Sequence, residues 1–269
     1  MGDERSATMN AKAMPSASKE TIICGVYSGV THESYRVQSG AKSKPASTNA
    51  IIRMGDRHSD AGGKATTLVM FSGGLDSTAV LVRLLDETDD DLRVHHIRMV
   101  NQEDRADAEQ RAVEAIVAWC QARYRPVRYS ESGLDFSGLS AIPIDYLAVA
   151  FVACQVAIDT PGCSRIAVGT LARDLDEIKR SVCANQRRVF DAMYDCYRAR
   201  KLGEPAMQWT YPVYALTKPQ IAALLPAELR ALTWSCRRPV RIAADFRPCG
   251  VCKPCRARVD IAAALRISA

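Results

Sequence analysis

The chain has 269 residues, 48% of them hydrophobic and 25% charged, which fits a globular protein and excludes a fibrous or wholly disordered one. No apolar run approaches the ~18 residues of a membrane span, and the first twenty residues lack a secretory pattern, so we expect a cytoplasmic protein without a membrane partner. The net charge of +6 comes from residues 230–269, which carry nine Arg or Lys and two acids. Such a segment can bind nucleic acid or line a pocket for phosphates, and we expect the second.

The pattern along the chain predicts an N-terminal extension followed by an α/β domain. Residues 1–65 are mostly small, polar and charged, with a single predicted strand at residues 21–27. Over residues 66–230, strand and helix patterns alternate, as a parallel sheet with crossover helices requires. We therefore predict a doubly wound, mainly parallel sheet, followed by a C-terminal metal-binding segment over residues 231–269.

The individual elements follow from apolar periodicity and turn signals. A strand at residues 67–70 leads into a helix that opens near Asp76, and Thr217 and Gln220 form a capping box at a later helix. Between them, the pattern predicts strands at residues 92–100, 126–129 and 165–170, and helices at 104–122, 144–158 and up to about 200. The helix at 144–158 is apolar nearly all round and is expected to be buried, whereas the last one carries an aromatic stripe that we assign to the core.

The most informative stretch lies between the first strand and its helix and has the sequence SGGLDST. A glycine-rich turn at a helix N-terminus presents several backbone N–H groups at one point and so cradles anionic oxygens. The spacing is not that of a Walker A loop. It resembles the pyrophosphate loop of the ATP-pyrophosphatase superfamily, whose members cleave ATP between the α- and β-phosphates; an ordinary turn with two glycines is the alternative. The candidate phosphate-binding residues are Ser72, Gly73, Gly74, Leu75, Asp76, Ser77 and Thr78.

A second strong signal is the group Cys236, Cys249, Cys252 and Cys255. Two overlapping C-x-x-C units place three thiolates around one tight turn, where Gly250 relieves the backbone, and Cys236 can complete a tetrahedron. Four thiolates form a typical structural Zn²⁺ site without an open position for catalysis. An iron–sulfur cluster, disulfides or a redox dithiol are the alternatives.

The loop and the cysteine group together resemble the QueC family of 7-cyano-7-deazaguanine synthases over about residues 66–265. These enzymes use ATP to convert 7-carboxy-7-deazaguanine and ammonia into a nitrile. The resemblance implies a HUP-like ATP-pyrophosphatase fold that uses ATP, Mg²⁺ and a structural Zn²⁺. Further matching positions are Gly169, Asp174, Lys218, Thr233–Cys236 and Arg258.

Three stretches depart from the family's pattern. The tyrosine-glycine-glutamine-histidine stretch is replaced by residues 99–104 (MVNQED). The proline-x-arginine-asparagine motif and the tyrosine-proline-aspartate-cysteine-arginine segment, which contribute to substrate recognition in the family, are replaced by residues 143–146 (PIDY) and 175–181. An arginine that pairs with a carboxylate cannot be exchanged for Ile or Asp without changing the possible ligands. The phosphate chemistry is therefore retained, while the identity of the carboxylate is open.

The resemblance implies roles for several residues in an acyl-adenylation mechanism. Asp76 is the expected Mg²⁺ ligand, Lys218 the cation at the α-phosphate, and Asp174 a ligand of metal or substrate, with Gly169 beside the nucleotide. Each side chain also has a structural interpretation: Asp76 as a helix N-terminal acid, Lys218 as a solvated lysine and Asp174 as a helix cap. The pair Arg237–Arg238 either reaches the nucleotide or is solvated.

Three functions are compatible with these residues; sulfur insertion into RNA is a lesser alternative, which a saturated cysteine site disfavours. The first is an ATP-dependent carbon–nitrogen ligase that acts on a deazaguanine carboxylate and gives an amide or a nitrile. The second is an antiviral-defence relative that conjugates the deazaguanine to a partner protein. The third is a subunit that binds nucleotide or nucleic acid without turnover. We favour the first as a homodimer, with nucleic acid not expected as a partner, because the phosphate loop is intact.

Overall fold

Strands and helices alternate along the part of the chain that the structure describes. The computed structural model describes residues 64–140, 145–172, 177–198 and 206–265. Within these ranges the elements are, in chain order, β1 (Thr66–Met70), α1 (Leu75–Glu87), β2 (Asp91–Val100), α2 (Ala106–Arg123), β3 (Arg128–Asp135), α3 (Asp145–Ile158), β4 (Cys163–Val168), α4 (Glu177–Arg198), β5 (Gln208–Thr210), α5 (Lys218–Leu224), α6 (Ala227–Leu232), β6 (Val240–Ile242), β7 (Asp245–Arg247) and α7 (Lys253–Ala264).

The first five strands form one parallel sheet. Its order is β3-β2-β1-β4-β5, and every neighbouring pair runs parallel. β1 lies at the centre and is buried along its whole length. This arrangement confirms the predicted doubly wound α/β fold. Strands β6 and β7 form a separate antiparallel hairpin.

Alternate residues of β1 face two separate apolar layers, since neighbouring side chains of a strand point to opposite faces. Val69 packs with buried residues of α1, α2, α5 and α6, whereas Leu68 and Met70 pack with buried residues of α3 and α4. Phe190 and Tyr194 of α4 belong to the second layer, so the predicted aromatic stripe is core. A parallel sheet covered on both faces explains why β1 reads as a continuous apolar run rather than an alternating one.

The topology defines where a ligand is expected. From β1 the chain builds β2 and β3 on one side, then returns to build β4 and β5 on the other. In open α/β sheets, ligands bind outside the carboxyl ends of the strands at this switch point. The loop after β1 and Gly169, which follows β4, both lie there. The predicted phosphate residues therefore occupy the edge that the topology assigns to a ligand.

Two elements differ from their predictions. The sequence predicts α3 as buried all round, but Phe151 is 50% exposed while Ala150 and Cys154 are fully buried, so only one face of the helix packs on the sheet and α4. The sequence predicts β3 at residues 126–129, but the strand continues through Asp135. Its polar residues pair in register with β2 along the edge of the sheet, where exposed and half-buried residues largely alternate.

Some predictions concern residues outside the described ranges. The strand at residues 21–27 and Asp174 are among them. Within the described ranges, no helix combines the length and the apolar character that a membrane crossing requires.

Candidate active site

The backbone of the loop after β1 requires glycine at Gly73, whereas Gly74 has an ordinary extended conformation. Gly73 has φ of +70°, a left-handed conformation that costs a residue with a side chain about 1–2 kcal/mol. A Cβ on Gly73 would also lie 2.9 Å from Val113 Cγ2 of α2. Gly74 is the N-cap of α1, and a Cβ there would lie 3.4 Å from Trp234 O. Thr78 closes the first turn by donating its N–H and its Oγ1 to Gly74 O, at 3.0 and 2.8 Å.

The start of α1 offers donors to an anion. The first N–H groups of a helix have no acceptor within it, and here they belong to Leu75, Asp76 and Ser77, with no side-chain cap from the N-cap glycine. Ser72 is exposed, and its Oγ lies 3.1 Å from Ser77 Oγ. Ser77 Oγ also accepts from Ser72 N at 3.3 Å, at the long end of the hydrogen-bond range. Main-chain amides and two hydroxyls thus converge at a helix N-terminus, as an anion site requires.

Gly169 brings the end of β4 against the same turn. A Cβ on Gly169 would lie 2.8 Å from Ser77 N, 2.9 Å from Asp76 C and 3.0 Å from Ser77 Cα, which are all backbone atoms. Only glycine allows this approach. The residue that the sequence predicts beside the nucleotide therefore fixes the position of the phosphate loop through main-chain packing.

An ion pair joins the loop to α5 across 142 positions of sequence. Lys218 Nζ lies 2.6 Å from Asp76 Oδ1 and 2.5 Å from Asp76 Oδ2. The predicted capping box is confirmed: Gln220 N donates to Thr217 Oγ1, and Thr217 N donates to Gln220 Oε1, which fixes the start of α5 and the origin of the lysine. Since both charged side chains are about a quarter exposed, the pair contributes at most about 1 kcal/mol to stability. The pair is relevant to function through its position, because it lies beside the first backbone amides of α1, where an anion would bind.

Residues 233–238, which we call the strap, connect this loop to the cysteine group. Trp234 N donates to Gly73 O at 2.9 Å, so the strap is hydrogen-bonded to the loop itself. Trp234 Nε1 donates to Cys236 O at 3.0 Å, and Arg258 Nη1 donates to Thr233 O at 3.3 Å. The sequence did not predict this connection, although Trp234 lies only two residues before the first cysteine of the group.

The four cysteines meet as predicted. Their Sγ atoms all lie within 4.8 Å of one another, with 3.9 Å between Cys236 and Cys252 and 4.0 Å between Cys249 and Cys255. Thiolates that each bind one Zn²⁺ at ~2.3 Å in a tetrahedron stand about 3.8 Å apart, so the spacing suits a single ion. An iron–sulfur cluster spreads its thiolates around several irons and needs wider spacing. Gly250, with φ of +76°, makes the turn between Cys249 and Cys252 within the first C-x-x-C unit.

The electrostatics of this group differ from those of the other thiols. Hydrogen bonds from the backbone N–H groups of Val251 and Cys252 lower the pKa of Cys249 to about 6, and burial raises the pKa of Cys255 to about 12. Four thiols so close together cannot all ionise unless a cation is present. Burial likewise raises the pKa of Cys120 to about 12 and that of Cys163 to about 11, as expected of inert core thiols, so the lowered pKa of Cys249 is what sets the group apart from these thiols.

Arg237, at the end of the strap, joins a buried ionic cluster. Its guanidinium pairs with both Glu103 oxygens at 2.5 and 2.8 Å, and with Asp145 Oδ2 at 3.4 Å. Arg105, which is 8% exposed, bridges the same two carboxylates and Glu109. Burial acts against the charge of Arg105, but the three carboxylates raise its pKa above the usual value. Arg237 therefore anchors the strap to the starts of α2 and α3.

The predicted residues separate into two connected groups. Residues 72–78, Gly169 and Lys218 come together at the carboxyl edge of the sheet, and the four cysteines come together beyond the strap. Asp145, which stands at the arginine position of the proline-x-arginine-asparagine pattern, forms ion pairs with Arg105 and Arg237.

Comparison with protein-family models and with curated proteins gave no match. Among solved structures, the chain is similar to the U34-tRNA thiolase NcsA from Methanococcus maripaludis with its [4Fe-4S] cluster. The sequence identity is 18% and the TM-score 0.41, over 75% of this chain. The match spans 65% of that protein's length.

Proposed function

We propose that this chain is an ATP-dependent, AMP-forming carbon–nitrogen ligase of the ATP-pyrophosphatase superfamily. The proposal rests chiefly on one juxtaposition, the glycine loop and the Asp76–Lys218 pair at the switch point of a doubly wound sheet. A helix N-terminus with glycines would serve many phosphate ligands. The carboxylate and the ammonium at its mouth add a metal ligand and a cation, which phosphoryl chemistry needs.

The first step transfers AMP to an acid. A carboxylate oxygen of the substrate attacks the α-phosphorus of ATP, and the bond from that phosphorus to the bridging oxygen breaks, so pyrophosphate leaves with the electron pair. The amides at the start of α1 would hold the β- and γ-phosphate oxygens and stabilise the charge that pyrophosphate carries away. Lys218 would stabilise the charge that develops at the α-phosphate.

The second step uses the acyl adenylate. An amine attacks the acyl carbon and loses a proton, and AMP leaves with the electrons of the carbon–oxygen bond to give an amide. If the amine is ammonia and a second ATP activates the oxygen of the primary amide in the same way, with loss of pyrophosphate, departure of AMP and of the two N–H protons leaves a nitrile. The same loop serves both rounds, because each round expels pyrophosphate from the same position.

Asp76 fits a magnesium ion that arrives with ATP. Within the described ranges, the cysteines are the one group of three or more potential metal ligands, so the loop offers a single carboxylate rather than an acidic cage. Magnesium in nucleotide sites commonly takes one or two carboxylates and completes its shell with phosphates and water. When bound, the ion supplies charge neutralisation at the phosphates. Asp76 would then exchange Lys218 for the ion, which frees the ammonium for the α-phosphate.

The cysteine group fits Zn²⁺ by donor type and spacing. Four thiolates saturate the ion, so its role is structural: it holds Cys236, and through it the strap, against the loop. No step of the reaction passes through it.

On the basis of the resemblance to QueC, we propose that the carboxylate substrate is 7-carboxy-7-deazaguanine or a related acid. A second candidate is conjugation of the deazaguanine to a partner protein. It is favoured by the ion pairs that Asp145 makes within the chain. This residue replaces a substrate-recognition position of the family and is engaged by two arginines of the chain itself. A substrate-recognition position that has changed in this way is compatible with a different amine as acceptor of the deazaguanine.

The proposal is tested by incubating the protein with ATP, Mg²⁺, 7-carboxy-7-deazaguanine and ammonium, and by measuring AMP and acyl products by mass spectrometry. Asp76→Ala should lower AMP formation by about 100-fold or more, the typical cost of one electrostatic catalytic group. Asp86→Ala, an exposed acid of the same helix, is the control and should behave as wild type. AMP only in the presence of an added acceptor protein supports the second candidate. Wild-type turnover in Asp76→Ala would refute the assignment.

A further inference from the structure

The C-terminal segment exposes basic side chains that the proposed mechanism does not use. Four exposed residues share this property: Arg238, Arg247, Lys253 and Arg256. Among the residues that the structure describes, these four side chains have no ion pair or hydrogen-bond partner, in residues 72–78 or elsewhere. By contrast, Arg237 pairs with Glu103, and Arg241 pairs with Asp107. The excess charge of the segment is therefore directed to solvent.

The four cations lie close to the cysteine group. Each is one or two residues from a different cysteine: Arg238 follows Cys236, Arg247 precedes Cys249, Lys253 follows Cys252 and Arg256 follows Cys255. The four Sγ atoms lie within 4.8 Å of one another, and two residues of chain span at most about 7 Å, so the cations belong to one small surface. No acidic residue lies within two positions of any of the four cysteines. We call these four basic residues the cationic patch.

Aliphatic side chains are exposed beside the cationic patch. Half of the eight large hydrophobic side chains that are exposed within the described ranges lie in this segment: Val240, Ile242, Val251 and Val259. Val251 lies between Cys249 and Cys252 and is 72% exposed. Val240 is paired with Arg247 across the β6–β7 hairpin, and directly opposed residues point to the same face. Apolar side chains that gather on one surface mark an interaction site, whereas scattered ones do not.

The hairpin presents its Val240 face to solvent because its other face is occupied. Arg241 and Phe246 are opposed on that second face. The guanidinium groups of Arg241 and of Arg111, which belongs to α2, lie 4.7 and 4.9 Å from the centroid of the Phe246 ring. The hairpin is thus fixed to α2 through Phe246, and Val240 and Arg247 remain accessible.

The charge and the apolar groups together define the partner. If the cysteine group holds Zn²⁺ as proposed, four thiolates and the ion carry about −2, so the four cations leave a positive excess of about two charges. This excess favours acidic groups on the partner. Single-stranded nucleic acid is held by stacking on aromatic side chains, but the exposed apolar side chains of this segment are all aliphatic. An apolar centre with a charged rim is instead the anatomy of a protein–protein interface.

We propose that the cationic patch, together with Val240 and Val251, docks a partner protein whose contacting segment carries acidic residues beside an aliphatic one. The acidic residues pair with the cationic patch, and the aliphatic side chain packs on Val251. This interaction does not depend on the proposed function, because it uses neither the glycine loop nor the Asp76–Lys218 pair.

A phage-displayed library of random peptides of about 12 residues, selected on the full-length protein, tests the proposal. We expect the enriched peptides to share two or more acidic residues beside an aliphatic one. The best peptide, synthesised with a fluorophore, should bind about tenfold more weakly to the double variant Arg247→Ser/Lys253→Ser, which removes two exposed charges. It should bind about five- to tenfold more weakly to Val251→Ser, which removes one aliphatic contact. High salt should weaken binding to the wild-type protein.

Arg128→Ser and Leu139→Ser are the matched controls, since both residues are exposed outside the C-terminal segment. Both should bind the peptide as wild type does. The melting temperature of Arg247→Ser/Lys253→Ser should be unchanged, because neither side chain has a partner among the described residues. If that variant does not fold, Arg238→Ser/Arg256→Ser removes the same number of charges from the same patch.

The proposal is overturned if no peptide is enriched, if the enriched peptides lack acidic residues, or if they bind the patch variants as they bind wild type. It is also overturned if single-stranded or duplex RNA binds more tightly than the best peptide and loses affinity in the double variant, which would assign the patch to nucleic acid. A salt-sensitive dimer in sedimentation that the double variant abolishes would instead assign it to a second copy of the chain. Patch-dependent peptide binding in a protein that forms no AMP would refute the proposed function alone.

Discussion

Gly169→Ala tests whether β4 really positions the phosphate loop. The added methyl would meet Ser77 N at 2.8 Å and Asp76 C at 2.9 Å, whereas ordinary contact begins at 3.4 Å. The two main-chain segments must therefore separate by about 0.6 Å, and overpacking of this kind costs about 1–3 kcal/mol. Neither neighbour is a flexible side chain, so the strain cannot be relieved by a rotamer change. The first backbone amides of α1 belong to one of the two separated segments and would therefore be displaced as well.

We expect two measurable consequences. The melting temperature should fall by about 3–9 °C, at about 3 °C per kcal/mol for a domain of this size. ATP affinity, measured by calorimetry with Mg²⁺, should fall about tenfold or more, because each amide is aligned with its phosphate oxygen only in the native position. Gly133→Ala is the matched control, since a Cβ at that position meets nothing within 4 Å. If Gly169→Ala melts and binds ATP as this control does, the loop is not held by β4.

Two further predictions concern the loop and its strap. Gly73→Ala should destabilise the protein by about 1–2 kcal/mol through its positive φ alone. In urea unfolding, the added change Val113→Ala should relieve only the extra cost of the 2.9 Å contact, so full recovery in the double variant would contradict the backbone explanation. If the cysteine group holds Zn²⁺ as proposed, its removal with a thiol-competing chelator should weaken ATP binding and speed hydrogen exchange at the loop amides, because Trp234 N donates to Gly73 O. Added Zn²⁺ should reverse both, and unchanged exchange would separate the metal site from the loop.

The local features of the site were predictable from the sequence. The loop was identified because a strand, two glycines and a helix start follow one another within twelve residues, and the geometry of such a turn depends on these residues alone. The cysteine group was found because short C-x-x-C spacings confine the positions of three thiols. The capping box at Thr217 is a third example of a signal that is complete within four residues.

Tertiary features were not predictable in this way. The bond from Trp234 to Gly73 joins segments about 160 residues apart, and a tryptophan N–H gives no sequence signal of its partner. The continuation of β3 through Asp135 is likewise imposed by its pairing with β2, because Ser130, Glu131 and Ser132 have little strand propensity of their own.

The C-terminal segment offers a physical reason for the proposed structural metal site, although no step of the proposed reaction passes through it. Strand β6 is exposed at every residue, and Cys255 is the one buried residue of α7, so this segment has almost no apolar core of its own. Segments of this kind depend on a metal or disulfide for their fold. The strap, residues 233–238, lies within this segment, and near its start Trp234 N donates to Gly73 O. If the cysteine group holds Zn²⁺ as proposed, the ion would also fix the rim of the glycine loop, and we expect its removal to weaken ATP binding before it affects the stability of the sheet.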